Sequence, residues 1–406
     1  MTSPHSQLQH NHCYKIQHKL YDLTDFVKVH PGGMDVFHNL KSHTDITPMI
    51  YSYHKNPKHI LAMLPKYEVS FTDDVITQYD TNYTYDEYCE LKKLVYDEIH
   101  EKKIPLHWSN EEIAYNAFMM SMYLGMWGHC FWNATDLSYW WMVLLAFMNT
   151  GTCILIFHET SHYCGFKNQK HNRLFSQYFP FANVKYWKYH HNYLHHSFTN
   201  TEHDHDFNPG QLLRYSKLCK LKYIHKYQHI LYALVLFFAT FTKRAYFTLR
   251  HSNLCFITLL IYFFEFKVYV FYSLMSSMFA IIANLSHIQH ECIQLNPEKK
   301  NDFLYNQVSS SMNYRTNDPI TRFLCFGLDI QIEHHLFPNV PHSSLRKIQH
   351  IVRSYCEKND IPYIEKPNIF TMIHSYMCHL HKMGNPAAAP PSAAPPDGFL
   401  QVAHNP

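Results

Sequence analysis

The chain of 406 residues carries 35 Lys and Arg against 32 Asp and Glu, so its net charge is only +3. Without a long Lys/Arg stripe, this balance argues against nucleic acid as a partner. Charged residues make up 17% of the chain, and 34 histidines and 31 tyrosines lower the mean hydropathy to −0.30, which masks apolar stretches. The 11 cysteines include no C-x-x-C pair, which indicates free thiols in a reducing compartment. The N-terminus lacks the apolar core of a signal peptide, so we expect it to stay cytosolic.

Residues 1–75 are polar and predict a small soluble domain with a bound cofactor. The segment Tyr21–Leu23 leads through Phe26 to the sequence His30-Pro31-Gly32-Gly33, and His54 follows 24 residues after His30. The proline and the two glycines favour a rigid, sharp loop that projects His30. Two imidazoles on opposite faces of a haem leave the iron no open position, which suits electron transfer. Residues 13–70 resemble cytochrome b5, and this implies haem b held by His30 and His54; the alternative is a domain that keeps the fold without haem.

The rest of the chain is predicted to be helical and to cross a membrane. Residues 76–112 are charged and predict a helical connector, and the Pro/Ala-rich residues 384–406 predict a disordered tail. Since a helix needs about 20 mainly apolar residues to cross a bilayer, four stretches predict spans: Ile113–Trp132, Ser138–Phe157, Tyr246–Phe264 and Val268–Ile288. The stretch Ile230–Phe241 is too short. The predicted fold class is therefore mainly α, with a four-span transmembrane domain at residues 113–383 and a small α+β domain before it.

Three histidine clusters predict a metal centre: His158-Glu159-Thr160-Ser161-His162, His191-Asn192-Tyr193-Leu194-His195-His196 and Gln331-Ile332-Glu333-His334-His335. On a helix, positions i and i+4 share one face, so each cluster could aim paired nitrogens at one point. Imidazole suits iron, zinc or copper. Seven or more histidines exceed what one ion with an open position needs, so the clusters predict two metal ions.

Two readings from other classes stay open on these residues. His158, Glu159 and His162 also match the H-E-x-x-H motif of zinc peptidases, although such an enzyme does not need the other two clusters. Alternatively, the chain could be a haem-bearing electron carrier whose histidine clusters are vestigial. Metal analysis separates the readings, since they require two irons with haem, zinc, or haem alone.

From about Ser138 to His350, the set H-x(3)-H, H-x(3)-H-H and Q-x-x-H-H resembles the membrane fatty-acid desaturases. In having Gln331 in the third cluster and a cytochrome b5-like domain, the sequence resembles the front-end desaturases. These enzymes place a cis double bond between an existing one and the carboxyl end. The resemblance implies O2 as co-substrate, Gln331 in or beside the site, and two irons held by eight histidines: His158, His162, His191, His195, His196, His287, His334 and His335. His290 is a rival of His287 for the additional ligand.

The resemblance also implies partners and a location. They are a fatty-acyl lipid or acyl-CoA substrate, an NAD(P)H-dependent cytochrome b5 reductase and the lipid bilayer. Two spans precede the first cluster and two more separate the second from the third. Even numbers put the haem domain and all three clusters on one face, which we expect to be the cytosolic face of the endoplasmic reticulum. Desaturation of a sphingolipid long-chain base, and acyl hydroxylation on the same scaffold, stay open as alternatives.

Two further polar segments have simpler interpretations at this point. The run His203-Asp204-His205-Asp206 is better explained by helix capping or by a solvated loop than by support of metal ligands. Asn313 occupies a polar position before the third cluster, where a structural hydrogen bond and a role in the site explain it equally well.

Overall fold

The computed structural model describes most of the chain, with gaps. The described residues are 12–37, 40–70, 82–132, 138–177, 187–204, 206–207, 212–217, 219–236, 266–293, 298–299, 301–314 and 318–385. The whole predicted span Tyr246–Phe264 and most of the predicted disordered tail therefore lie outside the described residues.

The N-terminal domain is built on a three-stranded antiparallel sheet of Cys13–Ile16, Lys19–Asp22 and Glu68–Val69, in that order. Its short helices are Thr24–Val27, Met34–Phe37, Thr47–Tyr53, Pro57–Met63 and Leu64–Tyr67. Successive side chains of a strand point to opposite faces, so one face of the sheet packs against the apolar faces of the helices. The resulting core includes Tyr14, Ile16, Leu23, Phe37 and Ile50. The predicted small α+β region is confirmed.

The rest of the described chain is helical, as predicted. Its helices are Asp86–Glu101, Asn110–Trp132, Tyr139–Ser161, Gln169–Ser176, Lys188–His195 with His196–Phe198, Tyr223–Tyr227, 228–236, Phe266–Leu285, His290–Ile293, Phe303–Ser309, Pro319–Cys325, Gln331–Leu336, His342–Lys358 and Ile369–Met383. Two short strands, Asn313–Tyr314 and Glu365–Lys366, pair in parallel.

One helix of the described part, Tyr139–Ser161, is long and apolar enough to cross a membrane. It contains the predicted span Ser138–Phe157 almost entirely. The predicted spans Ile113–Trp132 and Val268–Ile288 coincide with the helices Asn110–Trp132 and Phe266–Leu285, but neither passes the same test of length and apolar character. The number of four spans therefore stays a prediction.

The helix Asp86–Glu101 positions the third histidine cluster from behind. Its buried face packs with the helix His342–Lys358 in one apolar cluster that also contains Leu336 and Phe337. The Tyr88 hydroxyl donates a hydrogen bond of 2.5 Å to the Leu336 carbonyl. That carbonyl lies at the end of the helix Gln331–Leu336, where backbone acceptors lack partners within the helix.

Candidate metal centre and haem site

The first cluster lies at the end of the apolar helix. The segment Cys153–His158 widens into a π-helix before His162, and π-helical turns in α-helices occur frequently at functional sites. The rings of His158 and His162 are buried, with centroids 4.7 Å apart. The predicted i, i+4 pair therefore faces one point.

The second cluster divides its rings. The segment Lys188–His195 is also a π-helix, whose longer period brings His191 and His196 to one side, with their Nε2 atoms 3.3 Å apart. His195 instead lies beside His287 and His335, at ring distances of 4.8 and 4.9 Å. The three rings of this segment therefore do not share one target, although ligand atoms of His191 and His195 lie within 4.8 Å of one another.

Two separate groups of potential metal ligands result. The first contains His158, His162, His191 and His334, and the second contains His195, His287 and His335. The neighbours His334 and His335 thus belong to different groups, which corrects the expectation of a common target for the third cluster as well. A further possible group joins His191 and His195 to Asp206. His196 lies between the two main groups, with its ring 4.7 Å from that of His162 and 4.4 Å from that of His335.

The first group has the geometry that a metal ion needs. The Nε2 atom of His191 is 2.9 Å from that of His158 and 3.0 Å from that of His162. Two nitrogens that bind one metal at about 2.1 Å and at right angles lie about 3.0 Å apart. The Nε2 atom of His334 is buried and has no hydrogen-bond partner within the described part of the chain. These donors fit a metal ion.

The second group also fits, because each ring is held on its far side. Nδ1 of His195 is 3.0 Å from Asp204, and Nδ1 of His287 is 3.1 Å from the Ser310 carbonyl. Nδ1 of His335 lies 3.1 Å from Thr199 Oγ1 and 3.2 Å from Gln307 Oε1. Such partners orient a ligand imidazole and leave Nε2 for the metal. The Nε2 atoms of His287 and His335 are accordingly 3.1 Å apart.

Burial favours the neutral imidazole, which is the form that binds metal. Burial and the neighbouring rings lower the pKa of His162 and His335 well below the usual value. Burial acts on His195 in the same direction, but the carboxylates of Asp204 and Asp206 outweigh it and raise the pKa of this ring.

Asp204 corrects one interpretation of the sequence. We expected its segment to serve as a cap or a solvated loop, yet Asp204 is buried and contacts His195 through Oδ2. The same oxygen also accepts a hydrogen bond of 3.0 Å from the Asn200 backbone, so that it fixes the turn and the ring together. His205, in the same run, lies outside the described residues.

Asn313 supports the third cluster through the backbone and a buried acid. Its Oδ1 accepts a hydrogen bond from the Ile332 N–H at 3.0 Å, and its Nδ2 donates to Glu333 at 2.8 Å. The Tyr363 hydroxyl donates to the other carboxylate oxygen at 2.6 Å. Burial raises the pKa of Glu333 to about 7, although the hydrogen bonds from Tyr363 and Asn313 lower the pKa by a smaller amount. The structure therefore favours the structural hydrogen bond for Asn313.

Both carboxylate oxygens of Glu159 accept hydrogen bonds from neighbouring residues. The Trp108 indole N–H donates to Oε2, and the His342 backbone N–H donates to Oε1 at 3.0 Å. The His342 ring also lies against this carboxylate and stacks on His158 at 5.7 Å. Sequence reasoning missed His342 because no motif contains it.

The remaining predicted residues have the following positions. Gln331 is buried, and its Oε1 has no hydrogen-bond partner among the residues that the structure describes. His290 points elsewhere: its Nε2 lies 3.0 Å from the Lys382 ammonium, whereas His287 belongs to the second group.

The two predicted haem ligands face each other in the N-terminal domain. The rings of His30 and His54 have centroids 6.2 Å apart. Two metal–nitrogen bonds of about 2 Å each, with the ring radii added, would separate axial imidazoles by about 6 Å. Nδ1 of His54 donates a hydrogen bond of 3.2 Å to the Ile50 carbonyl, which leaves Nε2 of that ring for iron, and a Cβ at Gly32 would lie 3.0 Å from Cε1 of His30. These residues fit a bis-histidine haem.

Comparisons with known proteins agree with this geometry. A family model described as fatty acid desaturase matches residues 134–367, and one described as cytochrome b5-like haem/steroid binding domain matches residues 3–72. The chain is 26% identical to "Acyl-lipid (8-3)-desaturase" of Physcomitrium patens, over 90% of this chain and 87% of that protein. It is 25% identical to "Probable Delta(5) fatty acid desaturase C" of Dictyostelium discoideum, over 94% of each chain.

A third relative is "Delta(8)-fatty-acid desaturase 1" of Arabidopsis thaliana, which is 24% identical over 86% of this chain and 84% of that protein. No solved structure matches. Because the desaturase model covers more than half of the residues, and the histidine groups and the haem-ligand pair accompany it, this chain belongs to the fatty acid desaturase family and carries a cytochrome b5-like domain.

Proposed function

We propose that this protein is a front-end acyl desaturase that places a cis double bond in a fatty-acyl lipid or acyl-CoA. The observation that carries the proposal is the pair of buried histidine groups next to a bis-histidine haem site within one chain. The names of the relatives, which include Δ5, Δ8 and (8-3) desaturases, support the regiochemical class. A plant-type sphingolipid substrate stays an alternative.

Bound iron in the two groups would supply the O2-dependent oxidation that removes two hydrogens from neighbouring methylene carbons. The residues of the chain hold and shield that centre. The eight predicted ligand histidines are buried, and this exclusion of water protects a reactive centre from side reactions. Asp204 orients the ring of His195 and the Ser310 carbonyl orients the ring of His287, each through Nδ1. His30 and His54 would hold the haem that passes on electrons from an NAD(P)H-dependent reductase.

A cavity of about 640 Å³ beside the first group is our candidate for part of the substrate path. Leu155, Phe323 and Phe326 line part of it, together with charged side chains, and it reaches His342, whose ring stacks on that of His158. Its size is in the range of ligand pockets, about 300–1,000 Å³. Leu155→Trp narrows this cavity and should shift the products toward shorter acyl chains, as lipid profiling would detect. An unchanged chain-length profile would place the path elsewhere.

The location follows the same proposal. Four spans would place the haem domain and the histidine groups on the cytosolic face of the endoplasmic reticulum membrane. The apolar helix Tyr139–Ser161 ends at the first group, so a substrate could approach that group from the lipid. A protease-protection assay with tags at both ends of the chain tests the orientation, and an odd number of spans would contradict it.

Expression in a host with a defined fatty-acid content tests the activity. We expect a new unsaturated product, and we expect its loss in His162→Ala, His195→Ala and His335→Ala with retained haem. His374→Ala is the matched control, since His374 is exposed and belongs to neither group. If Glu159→Gln removed activity while His335→Ala kept it, the zinc-peptidase reading would replace this proposal.

A further inference from the structure

One residue links the haem site to the first histidine group. Tyr53 precedes the predicted haem ligand His54 in the chain, and its hydroxyl lies 3.0 Å from Nδ1 of His162. The two rings are nearly parallel, at 13° and a centroid distance of 6.3 Å. Nε2 of His162 faces the first group, 3.0 Å from Nε2 of His191. Tyr53 therefore contacts the back of a ring whose front faces the metal site.

This contact is held by residues outside the N-terminal domain. The helix Thr47–Tyr53 ends beside His54, and the last carbonyls of a helix lack partners within it. Lys92 Nζ donates to the Tyr51 carbonyl at 2.5 Å and to the Ser52 carbonyl at 3.2 Å. The Asn339 amide donates to the Tyr53 carbonyl at 2.8 Å. Three consecutive carbonyls are thus bound by side chains that belong to the rest of the protein.

A second set of contacts holds the loop that carries His30. Lys188 Nζ forms an ion pair of 2.5 Å with Asp35, and the Tyr163 hydroxyl donates to the same carboxylate at 3.0 Å. Arg173 Nη1 lies 3.4 Å from the Gly32 carbonyl. The loop that carries His30 is therefore docked on the part of the chain that carries the first two histidine clusters.

We propose that Tyr53 is the electron-transfer contact between the haem and the first metal group. One electron would leave ferrous haem held by His30 and His54, which would become ferric, and would reduce ferric iron held by the first group to ferrous. The path runs through His54, the peptide bond to Tyr53, the phenol and His162, and a single hydrogen bond interrupts its covalent bonds. Tyr53 keeps its proton and is not oxidised, so no bond forms or breaks. The inference rests on the ligand sets of the proposed function.

The test compares Tyr53→Phe with Tyr51→Phe in the full-length protein loaded with haem and iron. Tyr51 is the matched control because its hydroxyl contacts Gln17 within the N-terminal domain. The haem is photoreduced by an excited flavin without oxygen, and its reoxidation by the iron is followed by absorbance. Tyr53→Phe removes the hydroxyl that lies 3.0 Å from Nδ1 of His162, and we expect it to slow the reoxidation of the haem. Tyr51→Phe should react like the wild type.

Two further measurements separate electron transfer from a structural effect. The iron content and the haem reduction potential of Tyr53→Phe should equal those of the wild type. Equal reoxidation rates in both variants, or a loss of iron from Tyr53→Phe, would overturn the proposal. If the wild type formed no unsaturated product while its haem reoxidation still depended on Tyr53, the proposed activity would fail and this contact would stand.

Discussion

The Nε2 atoms of His287 and His335 lie 3.1 Å apart, although 48 residues separate them in the chain. His335 belongs to a recognisable cluster, whereas His287 stands alone after the helix Phe266–Leu285. The Ser310 carbonyl holds Nδ1 of His287 on the far side of its ring. This arrangement places His287 in the second group and leaves His290 beside Lys382.

We therefore expect His287→Ala to lose the iron of the second group and the desaturase activity, because the variant removes one of the three rings there. Iron per haem in the purified protein is the measurement. His290→Ala is the control and should keep both irons. The reverse result would assign the additional ligand to His290.

Asp204→Asn should weaken iron binding in the second group. The substitution keeps the size of the side chain but removes the charge that orients and polarises His195. Loss of such a partner costs about 10- to 100-fold in metal affinity, which a chelator titration would show. Glu202→Gln is the control, since Glu202 is exposed and lies 3.7 Å from His203, away from His195. Equal chelator sensitivity of the two variants would show that Asp204 only stabilises its turn and does not support metal binding.

The role of Gln331 at the metal site remains a prediction. A neutral amide oxygen binds metal more weakly than imidazole, and the buried Oε1 of Gln331 lacks a partner among the described residues. Gln331→His should keep iron and part of the activity, because it supplies the ligand type of other desaturases. Gln331→Ile keeps a similar bulk without the polar group and should lose most activity. Equal turnover near the wild-type rate in both variants would show that no polar contact of Gln331 matters.

His30→Ala and His54→Ala should each abolish the low-spin b-type spectrum and the desaturation, while the iron of the histidine groups is retained. Each variant removes one of two axial ligands that face each other across 6.2 Å. His59→Ala, an exposed position of the same domain, is the control. A wild-type spectrum in either ligand variant would remove that residue from the haem site.

The lowered pKa of Lys92 predicts that the free energy of unfolding depends on pH. Burial lowers its pKa from 10.5 to about 7 in the folded protein, so between these values the unfolded chain binds more protons. The free energy of unfolding of the wild type, compared with that of Lys92→Met, should then rise with pH across this window, by up to about 1.4 kcal/mol per pH unit. Thermal unfolding of both proteins between pH 7 and pH 10 measures the difference. A difference that does not change with pH would show that Lys92 stays charged.

The sequence alone predicted the parts of this protein whose signal is local. The loop from His30 to Gly33 and the spacing to His54 follow from residue type and separation, and so do the three histidine clusters. Two families of motif, each specific in combination, were enough to identify a desaturase with a cytochrome b5-like domain. The α+β region at the N-terminus and the helical remainder were predictable for the same reason, because periodicity and turn residues act over a few positions.

Only the tertiary structure decided which residues meet. Adjacent His334 and His335 serve different groups, because neighbouring positions on an α-helix point about 100° apart and the packing of distant helices brings other histidines to each side. Asp204 contacts His195 through a turn whose fold the residue types did not specify. His342 and Tyr53 belong to no motif, yet they contact Glu159 and His162 from 183 and 109 residues away. A local pattern determines spacing along one element, whereas contacts over such separations depend on how whole elements pack.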